Sequence, residues 1–231
     1  MASKKKLLQA AAGSAGGAGL DVDEVFSTYL YDGNSSTQAI NNGIDLDGEG
    51  GLVWIKRRDG TLSHALFDTA RGAGALLQSN LTAGHYTGGD DLTAFNSNGF
   101  TLGDGQFTSI NYSSYDYASW TFRKAEKFFD VVTYTGNGVA GRTVSHNLGT
   151  TVGMLIIKGI SNPSDWSVFH RSVGNDKYLA INETSSAQTD TNHTSASPPS
   201  LSPRMRYWPA QPSDLLETHL PLLLRFVLRL N

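Results

Sequence analysis

The chain has 231 residues, a formal net charge of −3, and no cysteine. Disulfides, thiolate zinc sites and cysteine nucleophiles are therefore excluded, and there is no basic stripe of the kind nucleic-acid binding needs. Charged residues make up 17% of the chain, below the average of roughly 25%, and glycine reaches 25 residues, a composition suited to short strands joined by tight turns.

Residues 1–20 carry Lys4-Lys5-Lys6, then Leu7-Leu8-Gln9-Ala10-Ala11-Ala12, and dissolve into the Gly- and Ala-rich run Gly13 to Gly19. The apolar run is too short and too interrupted for a signal peptide, so the segment reads as a flexible tail. No stretch approaches 18 uninterrupted apolar residues, which argues against a membrane span.

A first domain is expected over residues 21–125. Phe26 to Tyr31 reads as a strand, followed by the turn Asp32-Gly33-Asn34. Leu52-Val53-Trp54-Ile55 is apolar throughout, as a strand buried on both faces is. Further strands are expected at Ala65–Asp68, Leu76–Gln78, Leu92–Phe95 and, after the turn Asn96-Ser97-Asn98-Gly99, at Phe100–Leu102. Tyr117 to Phe122 alternates: Ala118, Trp120 and Phe122 face one way, Tyr117, Ser119 and Thr121 the other. Short strands at close spacing with turn signals point to an all-β sandwich. Trp54, Trp120 and Phe122 are expected in its core. Arg123 to Lys127 reads as a solvated, charged junction.

The same pattern then recurs. Gly51-Leu52-Val53-Trp54-Ile55-Lys56 is matched by Gly153-Met154-Leu155-Ile156-Ile157-Lys158, His64–Phe67 by Trp166–Phe169, and Leu77–Asn80 by Leu179–Asn182. Lys56 and Lys158, Phe67 and Phe169, and Asn80 and Asn182 are all separated by the same interval, which marks an internal repeat. A second sandwich is expected over residues 126–192, with Leu155, Ile157 and Phe169 in its core. From His193 the composition changes: glycine and lysine are gone, while proline and arginine rise. Residues 193–231 therefore read as an unrelated, irregular tail, of the kind an out-of-frame coding segment gives. That leaves the second sandwich incomplete, with an unpaired edge.

Few residue sets here carry recognisable chemistry. Gly136-Asn137-Gly138-Val139-Ala140-Gly141 fits G-x-G-x-x-G, but strand-and-turn sequence follows where a dinucleotide site needs a helix; no cofactor is expected. Asp45-Leu46-Asp47-Gly48-Glu49 clusters carboxylates without the full calcium-loop spacing, and reads as a solvated turn before it reads as a calcium site. His170-Arg171 reads as a structural pair. No serine-hydrolase elbow is present, and nothing points to paired acids of the glycosidase kind. Tyr112, Tyr115 and Tyr117 fall in a Ser/Asn-rich loop, where aromatics either stack on sugars or a receptor or pack over the sandwich end.

Several segments resemble a known family: Met1-Ala2-Ser3-Lys4-Lys5, Leu7-Leu8-Gln9-Ala10-Ala11-Ala12-Gly13, Gly50 to Lys56, Phe95-Asn96-Ser97-Asn98-Gly99-Phe100, Trp120 to Ala125 and Phe128 to Gly138. They are similar to virion structural proteins of marine tailed bacteriophages, which carry a repeated concanavalin-like jelly-roll domain of unassigned function. The resemblance spans roughly residues 1–192. It implies a non-enzymatic virion component of the tail or fibre kind, a homo-oligomer whose partners are other virion proteins and a host-surface glycan or receptor. It brings no catalytic, cofactor or metal residues. The alternative from another class is a carbohydrate-binding module or glycan-acting secreted protein.

Overall fold

The computed structural model describes residues 20–104, 108–137, 143–174 and 176–189, and the backbone of 204–206 and 222–228. Asp21 caps one helical turn, α1 (Val22–Val25), its carboxylate accepting from the Asp23 N–H. The other described elements are strands. The first repeat holds β1 (Phe26–Asp32), β2 (Gln38–Asn41), β3 (Gly51–Arg57), β4 (Ala65–Asp68), β5 (Leu92–Asn96), β6 (Gly99–Leu102) and β7 (Asp116–Arg123). The second holds β8 (Phe129–Thr135), β9 (Thr143–Ser145), β10 (Met154–Gly159), β11 (Trp166–His170), β12 (Lys177–Ala180) and β13 (Gln188–Thr189), followed by β14 (Arg204–Arg206) and β15 (Leu222–Leu228). Every pairing among the described strands is antiparallel. The fold is all-β, as the turn-punctuated short strands require. No described helix is long and apolar enough to cross a membrane.

The sheet β1-β7-β3-β4 packs one face on the three-stranded sheet β2-β6-β5. Tyr31, Val53, Ile55, Phe67 and Tyr117 meet Ile40, Phe100 and Leu102 in that core. The tight β5–β6 turn requires Gly99, which has φ +132° and lies against the Ile40 carbonyl where a Cβ would collide.

The opposite face of the same sheet is buried too. Leu52, Trp54, Leu66 and Phe122 pack with Phe129, Val131, Ile156, Trp166 and Val168 of the six-stranded sheet β13-β12-β11-β10-β15-β8. The continuous apolar run of β3 follows directly from this: Val53 and Ile55 serve one core, Leu52 and Trp54 the other. Trp54 and Phe122 thus lie between the repeats, not inside the first sandwich as expected. Trp120 is half-buried and meets Trp54 edge-on, with ring centroids 6.5 Å apart. Leu155, Ile157 and Phe169 do share a cluster, with Leu148 and Val152, on the far side of the second sheet.

The connection between the repeats is pinned. The Lys124 N–H donates to Gly50 O and the Lys127 N–H to Leu148 O, both at 2.8 Å. Lys124 reaches the buried Asp130 at 3.3 Å, and Arg123 reaches Glu49 at 3.5 Å. Arg123 and Lys124 each find an acid on a neighbouring segment, while Glu126 and Lys127 stay exposed as a solvated junction would have them.

The sheet order of the second repeat, β8-β15-β10-β11, reproduces β1-β7-β3-β4. Trp54 pairs with Trp120 in one and Ile156 with Phe226 in the other. Likewise β14 pairs with β9 as β6 pairs with β2. Two pieces of the expected unrelated tail therefore stand where the last strands of a sandwich belong, and β15 is paired on both sides. Alternation was the wrong criterion for this strand: a central strand draws its order from two backbone ladders, and Leu222-Leu223-Leu224-Arg225-Phe226-Val227-Leu228 is an apolar run of the kind central strands carry.

Candidate functional site

The loop end of the first sandwich gathers Gly33–Ser36, Arg57–Gly60 and the segment 108–115. Its order comes from buried polar groups. Asn111, fully buried, donates from Nδ2 to Gly103 O (2.6 Å), Ser36 O (2.7 Å) and Asn34 Oδ1 (3.2 Å), while its Oδ1 accepts from the Asn34 N–H. Ser109 and Ser114 hold positive φ, 57° and 72°, conformations that this bonding supports.

Of the two readings of Tyr112, Tyr115 and Tyr117, contact surface or packing, Tyr117 takes the packing one. Tyr117 is fully buried and stacks on Tyr31, with centroids 5.1 Å apart. Its hydroxyl donates to Ser109 O (2.7 Å) and accepts from the Tyr112 N–H (3.1 Å), and the Tyr31 hydroxyl donates to Ile110 O (2.8 Å). Burial raises both phenols above their ordinary value. Tyr117 is a brace for the loop, not a contact residue. Tyr115 is half-buried against the core, and the Arg57 guanidinium sits 3.3 Å above its ring centroid. Arg57 is held in turn by Asp59 at 2.7 Å, and Arg58 lies 4.0 Å from Asp116. Tyr112 is half-buried, beside exposed Ser113 and Ser114. What reaches solvent is a polar plate of Tyr115, Arg57 and Asp59, with Tyr112 at its border.

Other residues singled out in the sequence have structural roles. Asp45 Oδ1 accepts from the Gly48 N–H at 2.8 Å and closes that turn, and Glu49 pairs with Arg123. Among the described residues, no three His, Asp or Glu side chains gather as a metal site needs. His170 Nδ1 accepts from the Ser172 N–H. Part of the Gly136–Gly141 segment lies outside the described residues.

The sequence did not reveal the seam between the repeats. The Thr82 carbonyl accepts from Lys158 Nζ and from the Ser164 N–H, both at 2.8 Å. Trp166 Nε1 donates to Gln78 O and Leu81 O, both at 3.1 Å, and the His85 N–H donates to Ile160 O at 3.1 Å. Lys158 is fully buried, also donates to Ser164 O and Oγ, and burial pulls its ammonium down to about 8. Nearby, a buried Asp68–Arg71 pair (2.6 Å) anchors the end of β4. Burial, and then the Arg71 charge, lower His85. An apolar crevice of about 130 Å³ opens at the seam among Leu52, Trp54, Phe122, Met154, Ile156 and Trp166. The one sequence clue was the two-faced apolar run of β3, which requires something to cover its second face.

Fold and loop end together define a protein of paired antiparallel β-sheets with a braced polar loop surface. The chain belongs to the family described as "Domain of unknown function (DUF7483)", which matches residues 21–205. The match crosses from one repeat into the other and reaches β14. No curated protein and no solved structure matches the chain.

Proposed function

We propose that this chain is a non-enzymatic structural component of a bacteriophage particle, of the tail or fibre kind, located in the virion and presenting its loop end to a host-surface glycan or receptor. The phage assignment rests on the sequence resemblance. The structural observation that carries the role is the seam: two sandwiches joined by a shared apolar core and by hydrogen bonds across it form a stiff block, which is what a particle component that transmits position or load needs. Titratable groups with shifted values support the same reading. Lys158, Arg71, Tyr31 and Tyr117 are each tied into packing contacts, not grouped around a shared reaction space. The plate of Tyr115 and Arg57 supplies the amphipathic ring and bidentate donor that sugar hydroxyls and carboxylates engage.

Mass spectrometry of purified particles from the source tests this. Peptides of the chain at structural stoichiometry in intact virions are expected, and their absence overturns the particle reading. Glycan binding by the isolated chain, with no peptide in particles, favours the carbohydrate-binding module instead.

A further inference from the structure

Strand β1 ends its sheet, pairing with β7 and with no other described strand. The bond from the Gly33 N–H to Tyr115 O fixes which groups point inward. In the β1–β7 register it makes Tyr31–Tyr117, Tyr29–Ser119 and Ser27–Thr121 the hydrogen-bonded pairs. The backbone groups of Phe26, Thr28, Leu30 and Asp32 therefore point away from the sheet. The ends of this outer row are taken: the Phe26 N–H donates to Val22 O, and Asp32 O accepts from Gln38 Nε2. The N–H and C=O groups of Thr28 and Leu30 face outward between them. Leu30 is 57% exposed and Tyr29 37%, with Val22 exposed just before the strand.

The second repeat shows what a closed edge looks like in the same fold. Tyr31 corresponds to Tyr134, which places Thr28 on Val131. The Val131 N–H is bonded by the Asp130 carboxylate, which also holds Lys124, and the Phe129 N–H and C=O are bonded by Ala125. The first repeat has Ser27 in the place of Asp130, and no such plug. Soluble proteins block sheet edges with charge, proline or a cover. Between Phe26 and Tyr31 β1 has no charge and no proline, and no described strand covers it.

We propose that β1 is an association edge and that its occupant is β1 of a second copy of this chain, paired antiparallel about Tyr29. In that register the Thr28 and Leu30 backbone groups of one copy bond Leu30 and Thr28 of the other. Tyr29 faces its own mate across a non-hydrogen-bonded pair, where aromatic side chains interact best. Asp32, the single charged residue of the strand, falls opposite Phe26 of the other copy, so the pairing opposes no like charges. The pairing is two-fold, so it uses up the edge on both copies and closes. On β8 the Phe129 N–H and C=O and the Val131 N–H are already bonded, so that edge offers less to pair. This inference does not depend on the particle reading.

Light scattering coupled to gel filtration of the full chain at micromolar concentration tests it, with Thr28→Pro and Leu30→Lys as variants. Proline at Thr28 removes an outward N–H and leaves the β7 ladder whole. Leu30→Lys places an edge charge without touching the backbone, and serves if the proline variant fails to fold. The wild-type chain is expected at twice its 24.8 kDa mass. The variants, with unchanged circular dichroism, should need roughly tenfold or more higher concentration to dimerise. A monomeric wild type, with or without an edge-bound foreign peptide, overturns the proposal, and so does a folded Leu30→Lys variant that dimerises as before.

Discussion

Replacing Trp166 by Phe is the sharpest perturbation of the seam. Trp166 is 1% exposed, and its single N–H serves two carbonyls of the other repeat, Gln78 O and Leu81 O, both at 3.1 Å. Phenylalanine keeps most of the apolar contact and removes the donor. Leaving buried carbonyls unsatisfied costs about 1–3 kcal/mol, and the smaller ring adds a packing loss of about 1 kcal/mol. A total near 2–4 kcal/mol is expected, with Trp166→Ala costing about 3–5 kcal/mol. Urea melts followed by far-ultraviolet circular dichroism measure it: the whole transition should move to lower urea with its slope kept. A loss below about 0.5 kcal/mol, within the range of surface substitutions, refutes the claim that this bond ties the repeats. So does a melt that splits in two.

Three further outcomes follow from the same geometry. Burial lowers Lys158 to about 8 in the folded state, so the unfolded chain binds the extra proton between that value and the ordinary lysine range, and stability rises with pH there. The gain from pH 8 to 10 is about 2 kcal/mol. It is lost in Lys158→Met, and it is opposed from about pH 9 upward, where the phenols of Tyr31 and Tyr117, raised by burial in the fold, begin to ionise first in the unfolded chain. Denaturant melts at stepped pH check this, and a flat or falling profile contradicts it. Tyr117→Phe should cost about 1–3 kcal/mol, since it strands Ser109 O and the Tyr112 N–H, and hydrogen exchange in 108–115 should quicken; unchanged protection there refutes the brace. Trp120→Ala should cost about 1–3 kcal/mol, less than a fully buried tryptophan, because Trp120 is half-buried; a loss above about 5 kcal/mol would place it in a closed core.

Strand chemistry was legible in the sequence because it is local. The alternation of Tyr117 to Phe122 assigned its two faces correctly, and the unbroken apolar run of β3 announced burial on both sides. What covers each face was not legible. A strand inside one sandwich and a strand between two sandwiches carry the same pattern, so Trp54 and Phe122 were placed in the wrong core. Tyr117 read as a loop aromatic because its burial depends on Tyr31, far away in sequence. The seam was hidden for a related reason: Thr82, Gln78 and Leu81 act through backbone carbonyls, which every residue has and no motif records. The tail misled for the opposite reason, since β15 lacks the alternation of an outer strand and stands in the middle of its sheet.

Differential scanning calorimetry of the full chain, at a concentration where it is monomeric, is the most direct test of the two repeats as one stiff body. With the core of Leu52, Phe122, Phe129 and Trp166 shared between them, one transition is expected, with a calorimetric-to-van't Hoff enthalpy ratio of about 1. Two resolved transitions, with the first repeat surviving the melting of the second, would contradict it.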